Sequence, residues 1–205
     1  MQLKDYIPNI EKKFRKLYFS GISFQSSEVK KNDIFFAIKG NKLNGNNYIN
    51  DAIANGAKII VSNLKFEGFN KKKVLFIKSD NPKKLLAETA NNFYNKKPKN
   101  IIAVTGTNGK TSVANFFYQI LTLNKRKVAA IGTLGVLFKK NKLETENTSI
   151  DALNIHKILN RLSELKIDNV ILEASSHGLK QHRLNNINFN TALFTNLSRD
   201  HLDYH

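Results

Sequence analysis

Residues 101–112 read Ile101-Ile-Ala-Val-Thr-Gly-Thr-Asn-Gly-Lys-Thr-Ser112. An apolar run ends in a turn punctuated by Gly106 and Gly109, and Lys110 follows with the hydroxyls of Thr111 and Ser112. Residues 113–123 then carry a helical pattern. A buried strand that passes through a glycine loop into a helix N-terminus is how a chain cradles phosphates. Backbone N–H groups and the positive end of the helix dipole face the anion. Lys110 adds a full charge near the terminal phosphates, and Thr111 offers a hydroxyl to Mg²⁺. The usual phosphate-loop spacing puts a glycine five residues before Gly109, where Val104 stands; the nearest upstream glycine is Gly106, so this is a shorter variant. A plain strand–turn–helix with a solvent lysine is the alternative, and the ordered succession of strand, glycines, Lys-Thr and helix argues against it.

Outward from this unit, strand and helix patterns alternate. Towards the C-terminus the pattern predicts a strand over 128–131 and a hairpin of 136–138 with 143–145 across a turn at 139–142. An amphipathic helix begins at Asp151, with apolar Leu153, Ile155, Ile158, Leu159, Leu162 and Leu165. Two further strands are expected over 169–174 and 191–196. Towards the N-terminus, strands are expected over 34–38, 58–61 and 74–77. A short helix over 48–55 starts near Asn47 or Asn50 and ends at Gly56, and another runs from a Ser79 or Asp80 cap, with Pro82 in its first turn, to about Tyr94. Residues 96–100 are basic, polar and broken by Pro98, which reads as a linker. The expected class is α/β, with a small α/β domain over 1–97 and a phosphate-loop domain with a mainly parallel sheet over 98–205. Ligands of such sheets bind outside the carboxyl ends of the strands. That collects three polar stretches: 105–111, 173–177 and 196–201. The chain stops at His205, soon after a strand, so the second domain is expected to be incomplete.

Composition narrows the partners. Of the 205 residues, 41% are hydrophobic, enough for packed cores, and no run approaches the ~18 apolar residues of a membrane span. Residues 1–15 are charged and lack the apolar stretch of a signal peptide. With no cysteine there are no disulfides or thiolate metal sites. A cytoplasmic protein without membrane insertion is expected. The formal charge of +17, from 33 Lys+Arg against 16 Asp+Glu, suits anionic partners. It is dispersed, however, and its clusters at Lys71-Lys72-Lys73 and Lys96-Lys97-Pro98-Lys99 fall between apolar runs, where solvated loops belong. Arginine is scarce and no aromatic-basic motif is present, so nucleic acid is not the expected partner.

Two more stretches carry chemistry. Glu173 closes the apolar run Asn169-Val-Ile-Leu-Glu173; an acid at a strand end beside a phosphate loop is suited to hold Mg²⁺ for nucleotide chemistry. Directly after it, Ala174-Ser-Ser-His-Gly-Leu-Lys-Gln-His-Arg183 concentrates hydroxyls, imidazoles, an amide and a guanidinium, a set of anion and sugar hydrogen-bonders. Thr195-Asn-Leu-Ser-Arg-Asp-His-Leu-Asp-Tyr-His205 adds acids and imidazoles at close spacing. His201 and His205 have a zinc-like spacing, but Arg199 interrupts and no third ligand is specified, which favours Mg²⁺ with ATP.

Together these motifs resemble those of the Mur ligases, ATP-dependent amide-forming enzymes of peptidoglycan precursor synthesis. Thr105-Gly-Thr-Asn-Gly-Lys-Thr-Ser112 is similar to their phosphate loop, which folylpolyglutamate synthetase shares. Glu173-Ala-Ser-Ser-His-Gly-Leu179 and Asn196-Leu-Ser-Arg-Asp-His-Leu-Asp-Tyr-His205 are more selective and resemble the MurE branch. The resemblance implies a ligase that adds the third stem-peptide residue, diaminopimelate or lysine, to UDP-MurNAc-L-Ala-D-Glu through an acyl phosphate. It implies ATP and Mg²⁺ as cofactors and a monomer as the working form. Gly106, Thr107, Asn108, Gly109, Lys110, Thr111 and Ser112 would cradle ATP. Thr111 and Glu173 would sit near one Mg²⁺ and His201 near a second, with Lys110, Glu173 and His201 as the catalytic set. Asn147, Thr148 and Ser149, followed by Ile150 in place of a common proline, and Ser175, Gln181 and Arg183 would meet the UDP-MurNAc-dipeptide.

In the first domain, residues 23–40 resemble the family's uridine-binding stretch. Phe24 and Ser26 would contact the uridine end and Asp33 matches, whereas Gln25, Ser27 and Asn46 depart from the family's aspartate, arginine and histidine. The resemblance also places a carbamylated lysine, the rest of the ATP site and a C-terminal domain beyond His205, so residues 1–205 are expected to be inactive by themselves. Two alternatives remain open: a catalytically inactive nucleotide- or UDP-sugar-binding module, and a folylpolyglutamate synthetase-like ligase.

Overall fold

The computed structural model describes residues 1–40, 43–139, 141–143 and 150–198. Its contacts divide the chain into two compact units, Met1–Phe93 and Tyr94–His205. Among the described residues, no helix is long and apolar enough to cross a membrane.

Among the described residues the first unit is built on five strands: β1 (Ile22–Ser23), β2 (Ile34–Phe36), β3 (Ile59–Ser62), β4 (Gly68–Phe69) and β5 (Leu75–Lys78). Their order is β1-β2-β3-β5-β4, and only β4 runs antiparallel to its neighbour. β2 and most of β3 and β5 read as unbroken apolar runs because parallel strands are covered on both faces; Ile34, Phe35, Phe36, Ile60, Val61 and Leu75 are fully buried. Helices α1 (Ile49–Ala54) and α2 (Pro82–Phe93) complete the unit.

Helix α1 begins within one residue of expectation, whereas the cap of α2 differs from it. The turn Gly45–Tyr48 leads into α1, and its cap is Asn44, whose side chain accepts from Asn46 N–H at 3.1 Å. Asn47 lies in that turn and Asn50 in the first turn of α1, near its start as expected, and the residue before α1, Tyr48, gives no side-chain cap. The chain is pinned one residue after Asn44 by Gly45, whose N–H donates to Ile38 O at 2.9 Å. A Cβ there would stand 2.4 Å from Ile38 N, so only glycine permits the approach. For α2 the cap is Asn81 rather than Ser79 or Asp80: its Oδ1 accepts from Lys84 N–H at 3.0 Å. Pro82 at the first helical position places the cap immediately before it.

Among the described residues the second unit holds six strands: β6 (Asn100–Thr105), β7 (Val128–Gly132), β8 (Gly135–Phe138), β9 (Asn141–Leu143), β10 (Asn169–Glu173) and β11 (Thr191–Phe194). The order is β11-β6-β10-β7-β8-β9; the first four are mutually parallel, and β7-β8-β9 form an antiparallel meander. The α/β class with a mainly parallel sheet is as expected. The second hairpin strand includes Leu143 as expected but begins two residues before the pattern put it. Phe138 pairs with Asn141 and Lys139 takes a left-handed φ of 46°, so the chain turns back sooner than a loop over 139–142 would allow. Residues 144 and 145 lie outside the described residues.

Alternation along the parallel strands divides two cores. Ile101, Ala103, Ala129, Ile131, Val170 and Leu172 face helix α4 (Ala152–Glu164), which contributes Ile155, Leu159 and Leu162. Val104, Ala130 and Ile171 point the other way, to Ala114, Val113 and Phe117 of helix α3 (Lys110–Leu123). Asp151 caps α4 as expected, accepting from Asn154 N–H at 2.8 Å. A short helix, α5 (Ser176–Lys180), follows β10.

Candidate active site

The site is assembled by strand order. β11, β6 and β10 are parallel neighbours, and their registers align Glu173 with Val104 and Phe194 with Thr105. Three polar strand ends that are distant in sequence therefore emerge on one edge of the sheet.

The loop after β6 turns through Gly106 (φ +131°) and Gly109 (φ +86°), both in backbone regions that favour glycine. Gly109 is the residue before α3, and the first helical bond runs from Val113 N–H to Gly109 O at 2.9 Å. The amides of residues 109–112 therefore lack intrahelical acceptors and project from the helix end, where the dipole is positive. Lys110 folds onto the loop, donating from Nζ to Gly106 O at 2.6 Å and Thr107 O at 2.9 Å. Its charge is thus held at the rim of the cradle.

Glu173 is brought to Thr111, whose hydroxyl donates to Oε2 at 2.9 Å. A partner that sequence reasoning missed is Thr133, after β7: its N–H donates to Oε1 at 3.1 Å and its hydroxyl to Oε2 at 3.2 Å. Next to it, Gly132 makes room for the carboxylate; a Cβ there would lie 2.1 Å from Glu173 Oε1. The sequence signal was present, because an apolar strand closing in Gly132-Thr133 is a fourth parallel strand end. A cavity of about 420 Å³ joins these parts, lined by residues 107–112, Thr133, Glu173, Ser175 and His177. Its carboxylate and hydroxyls are hard oxygen donors of the kind Mg²⁺ takes, and an ion shared with nucleotide phosphates needs only one or two protein ligands. Among the described residues no group of three or more His, Asp or Glu that could hold a metal ion is present.

The other expected contacts are distributed unevenly. Ser175 lines the cavity while its hydroxyl caps α5, accepting from Gly178 N–H at 3.1 Å. Arg183 lines a small adjoining cavity that also touches Glu173 and Ser175. Gln181 holds that guanidinium, with Oε1 accepting from Nε at 3.0 Å and from Nη2 at 2.6 Å. Phe24 and Ser26 belong to the first unit, just after β1; Ser26 opens a short turn and its carbonyl accepts from Asn55 Nδ2 at 2.9 Å. Asn147, Thr148, Ser149 and His201 lie outside the described residues.

Two family descriptions match the chain: the Mur ligase middle domain over residues 104–205, and the Mur ligase family, catalytic domain, over residues 18–94. The chain belongs to the Mur ligase family. The middle-domain match begins on β6 and takes in the whole phosphate loop. Among Mur ligases, the UDP-N-acetylmuramoyl-L-alanyl-D-glutamate–2,6-diaminopimelate ligase of Rickettsia felis is 43% identical over 201 residues, covering 96% of this chain and 38% of the relative. The ligase of the same name from Bradyrhizobium diazoefficiens is 39% identical over 208 residues, covering all of this chain and 42% of the relative. A solved structure of a ligase of that name superposes on the full chain with a TM-score of 0.83 at 29% identity, using 42% of its own length. MurF from Thermotoga maritima, solved in complex with ADP, shares the fold at a TM-score of 0.58 and 24% identity over 85% of this chain. The chain thus spans about two fifths of the relatives it matches.

Proposed function

We propose that this chain provides the uridine- and ATP-binding parts of a Mg²⁺-dependent ligase that adds the third stem-peptide amino acid to UDP-MurNAc-L-Ala-D-Glu. Diaminopimelate is the amino acid to test first, because the relatives named above carry it in their names. The observation that carries the reading is the convergence, on one cavity, of the 107–112 loop, Lys110 and the Thr111–Glu173 pair. The ATP γ-phosphate passes to the D-Glu side-chain carboxylate, and an amine then displaces phosphate to form the amide. The amides of residues 109–112 and Lys110 hold and neutralise the phosphates. Thr111 and Glu173 would hold Mg²⁺, which supplies further charge neutralisation when bound. Thr133 keeps the Glu173 carboxylate aimed at the cavity. Ser175, Gln181 and Arg183, with Asn147, Thr148 and Ser149, would meet the dipeptide substrate, and Phe24 and Ser26 its uridine end. His201 would serve a second Mg²⁺. Residues 1–205 would bind the nucleotides without completing the ligation.

Separate calorimetric titrations of MgATP and UDP-MurNAc-L-Ala-D-Glu into residues 1–205 test this. Both are expected to bind, and Lys110→Ala is expected to weaken ATP at least about tenfold, the scale of a lost charge-assisted contact, while leaving the uridine ligand unaffected. Failure of the unsubstituted chain to bind ATP would sink the reading. A basic nucleic-acid binder would instead show steep salt dependence with DNA or RNA and indifference to Lys110→Ala.

A further inference from the structure

The segment after β11 does more than continue the sheet. Thr107 N–H donates to Asn196 O at 3.0 Å, and Asn108 N–H donates to Asn196 Oδ1 at 3.0 Å. The same side chain returns a bond from Nδ2 to Asn108 O at 3.1 Å, so the Asn196 amide pairs with both backbone groups of one loop residue. Thr195 Oγ1 lies 2.6 Å from Asn108 O and 3.2 Å from Thr105 O, with one proton to give. Thr107 Oγ1 accepts from Ser198 N–H at 3.0 Å and lies 3.2 Å from Ser198 O. An independent steric observation agrees. A Cβ on Gly106 would meet Thr195 Oγ1 at 2.1 Å and Asn196 O at 2.8 Å, so this glycine is required by the segment that crosses it.

We propose that Asn196, assisted by Thr195, is a positioning residue of the phosphate loop. It occupies the amides of Thr107 and Asn108 and fixes the outer half of the loop, which assigns the phosphates to the amides of residues 109–112. The inference rests on the ATP reading above. An Asn side chain is needed because only an amide offers a donor and an acceptor side by side to a peptide group. In Asn196→Asp, one carboxylate oxygen still accepts from Asn108 N–H, but the other faces Asn108 O without a proton.

The test is MgATP titration of the 205-residue chain and its variants, with amide hydrogen exchange read at residues 107 and 108. Asn196→Ala, which loses both side-chain hydrogen bonds, is expected to weaken ATP binding by roughly tenfold or more and to speed exchange at residue 108 more than at residue 107, whose bond is to the Asn196 backbone carbonyl; Asn196→Asp, which keeps the bond from Asn108 N–H, is expected to fall between Asn196→Ala and the unsubstituted chain. Thr195→Val is expected to weaken ATP and Thr195→Ser to restore it, a split that loss of bulk packing would not produce. Unchanged ATP affinity in Asn196→Ala overturns the proposal. If that variant does not fold, equal ATP affinity of Thr195→Val and Thr195→Ser overturns it instead. If the unsubstituted chain binds no ATP, the nucleotide reading fails separately, and slow exchange at residue 108 that persists in Asn196→Ala then rejects the positioning role.

Discussion

Glu173 accepts three donors, from the Thr111 hydroxyl and from the Thr133 N–H and hydroxyl, and the space it occupies exists because residue 132 has no side chain. Gly132→Ala would put a methyl group 2.1 Å from Oε1 and turn the carboxylate away. The expected result is that the Mg²⁺ concentration needed to support ATP binding rises about tenfold or more, while metal-free nucleotide affinity changes little; Mg²⁺ titrations at fixed ATP check it. A second residue-scale effect concerns His156, fully buried on α4. Its Nε2 lies 3.1 Å from Asn185 O, and its Nδ1 has no hydrogen-bond partner among the described residues. Burial first, and the Lys97 charge second, lower its pKa to about 4, against the raising effect of the Asn185 bond. The unfolded chain takes up this proton near 6.5 and the folded chain only near 4, so the fold binds fewer protons between those values. Stability is intact above pH 6.5 and falls as the pH drops towards 4, by up to about 3 kcal/mol. Urea denaturation at pH 7.5 and 4.5 should show that fall, and His156→Leu should reduce the difference.

At the scale of elements, capping decides where helices begin. Asp151 serves Asn154 twice, accepting from its N–H at 2.8 Å and from its Nδ2 at 2.7 Å. Asp151→Ala is expected to cost about 1 kcal/mol, measured as a shifted denaturation midpoint with unchanged slope. This cap was legible because it directly precedes the 3.6-residue apolar rhythm of α4. The same rhythm revealed α3, and unbroken apolar runs revealed β6, β7 and β10. Other caps were not legible. Asn44 caps the turn before α1, which depends on the Ile38 backbone beneath Gly45, outside the local pattern, and Asn81 caps α2 at a place where Ser79 and Asp80 are equally suitable capping types nearby. β1 and β4, two residues each, are too short to show a period of two. β9 begins earlier than expected because Asn141 and Lys142 resemble a loop, whereas pairing with β8 makes them part of a strand.

For the molecule as a whole, the second unit carries an unusual apolar surface. On α3, Phe116 is 60% exposed, Ile120 57% and Leu123 82%, and all four residues of β11 are exposed, Phe194 to 65%. Single exposed apolar residues are ordinary, but a helical stripe together with an edge strand is not. The 205-residue chain is therefore expected to bind a hydrophobic dye and to self-associate as its concentration rises. Phe116→Ser with Leu123→Lys should lower both signals, by dye fluorescence and sedimentation velocity, without lowering the thermal midpoint, since neither side chain is buried.

The sequence by itself determined the phosphate loop, the α/β class and the three polar strand ends, because glycines, Lys110, Thr111 and their flanking apolar runs act within a dozen residues of one another. It also carried Glu173, through its place at the end of an apolar strand. Only the tertiary structure decided what holds these groups in working order. Thr133 reaches Glu173 from 40 residues away, and Asn196 reaches Asn108 from 88. Those distances close because the sheet places β10 between β6 and β7, and β11 beside β6. Strand order is set by the packing of whole elements, so residues whose role is to hold another residue become visible only when the sheet is assembled.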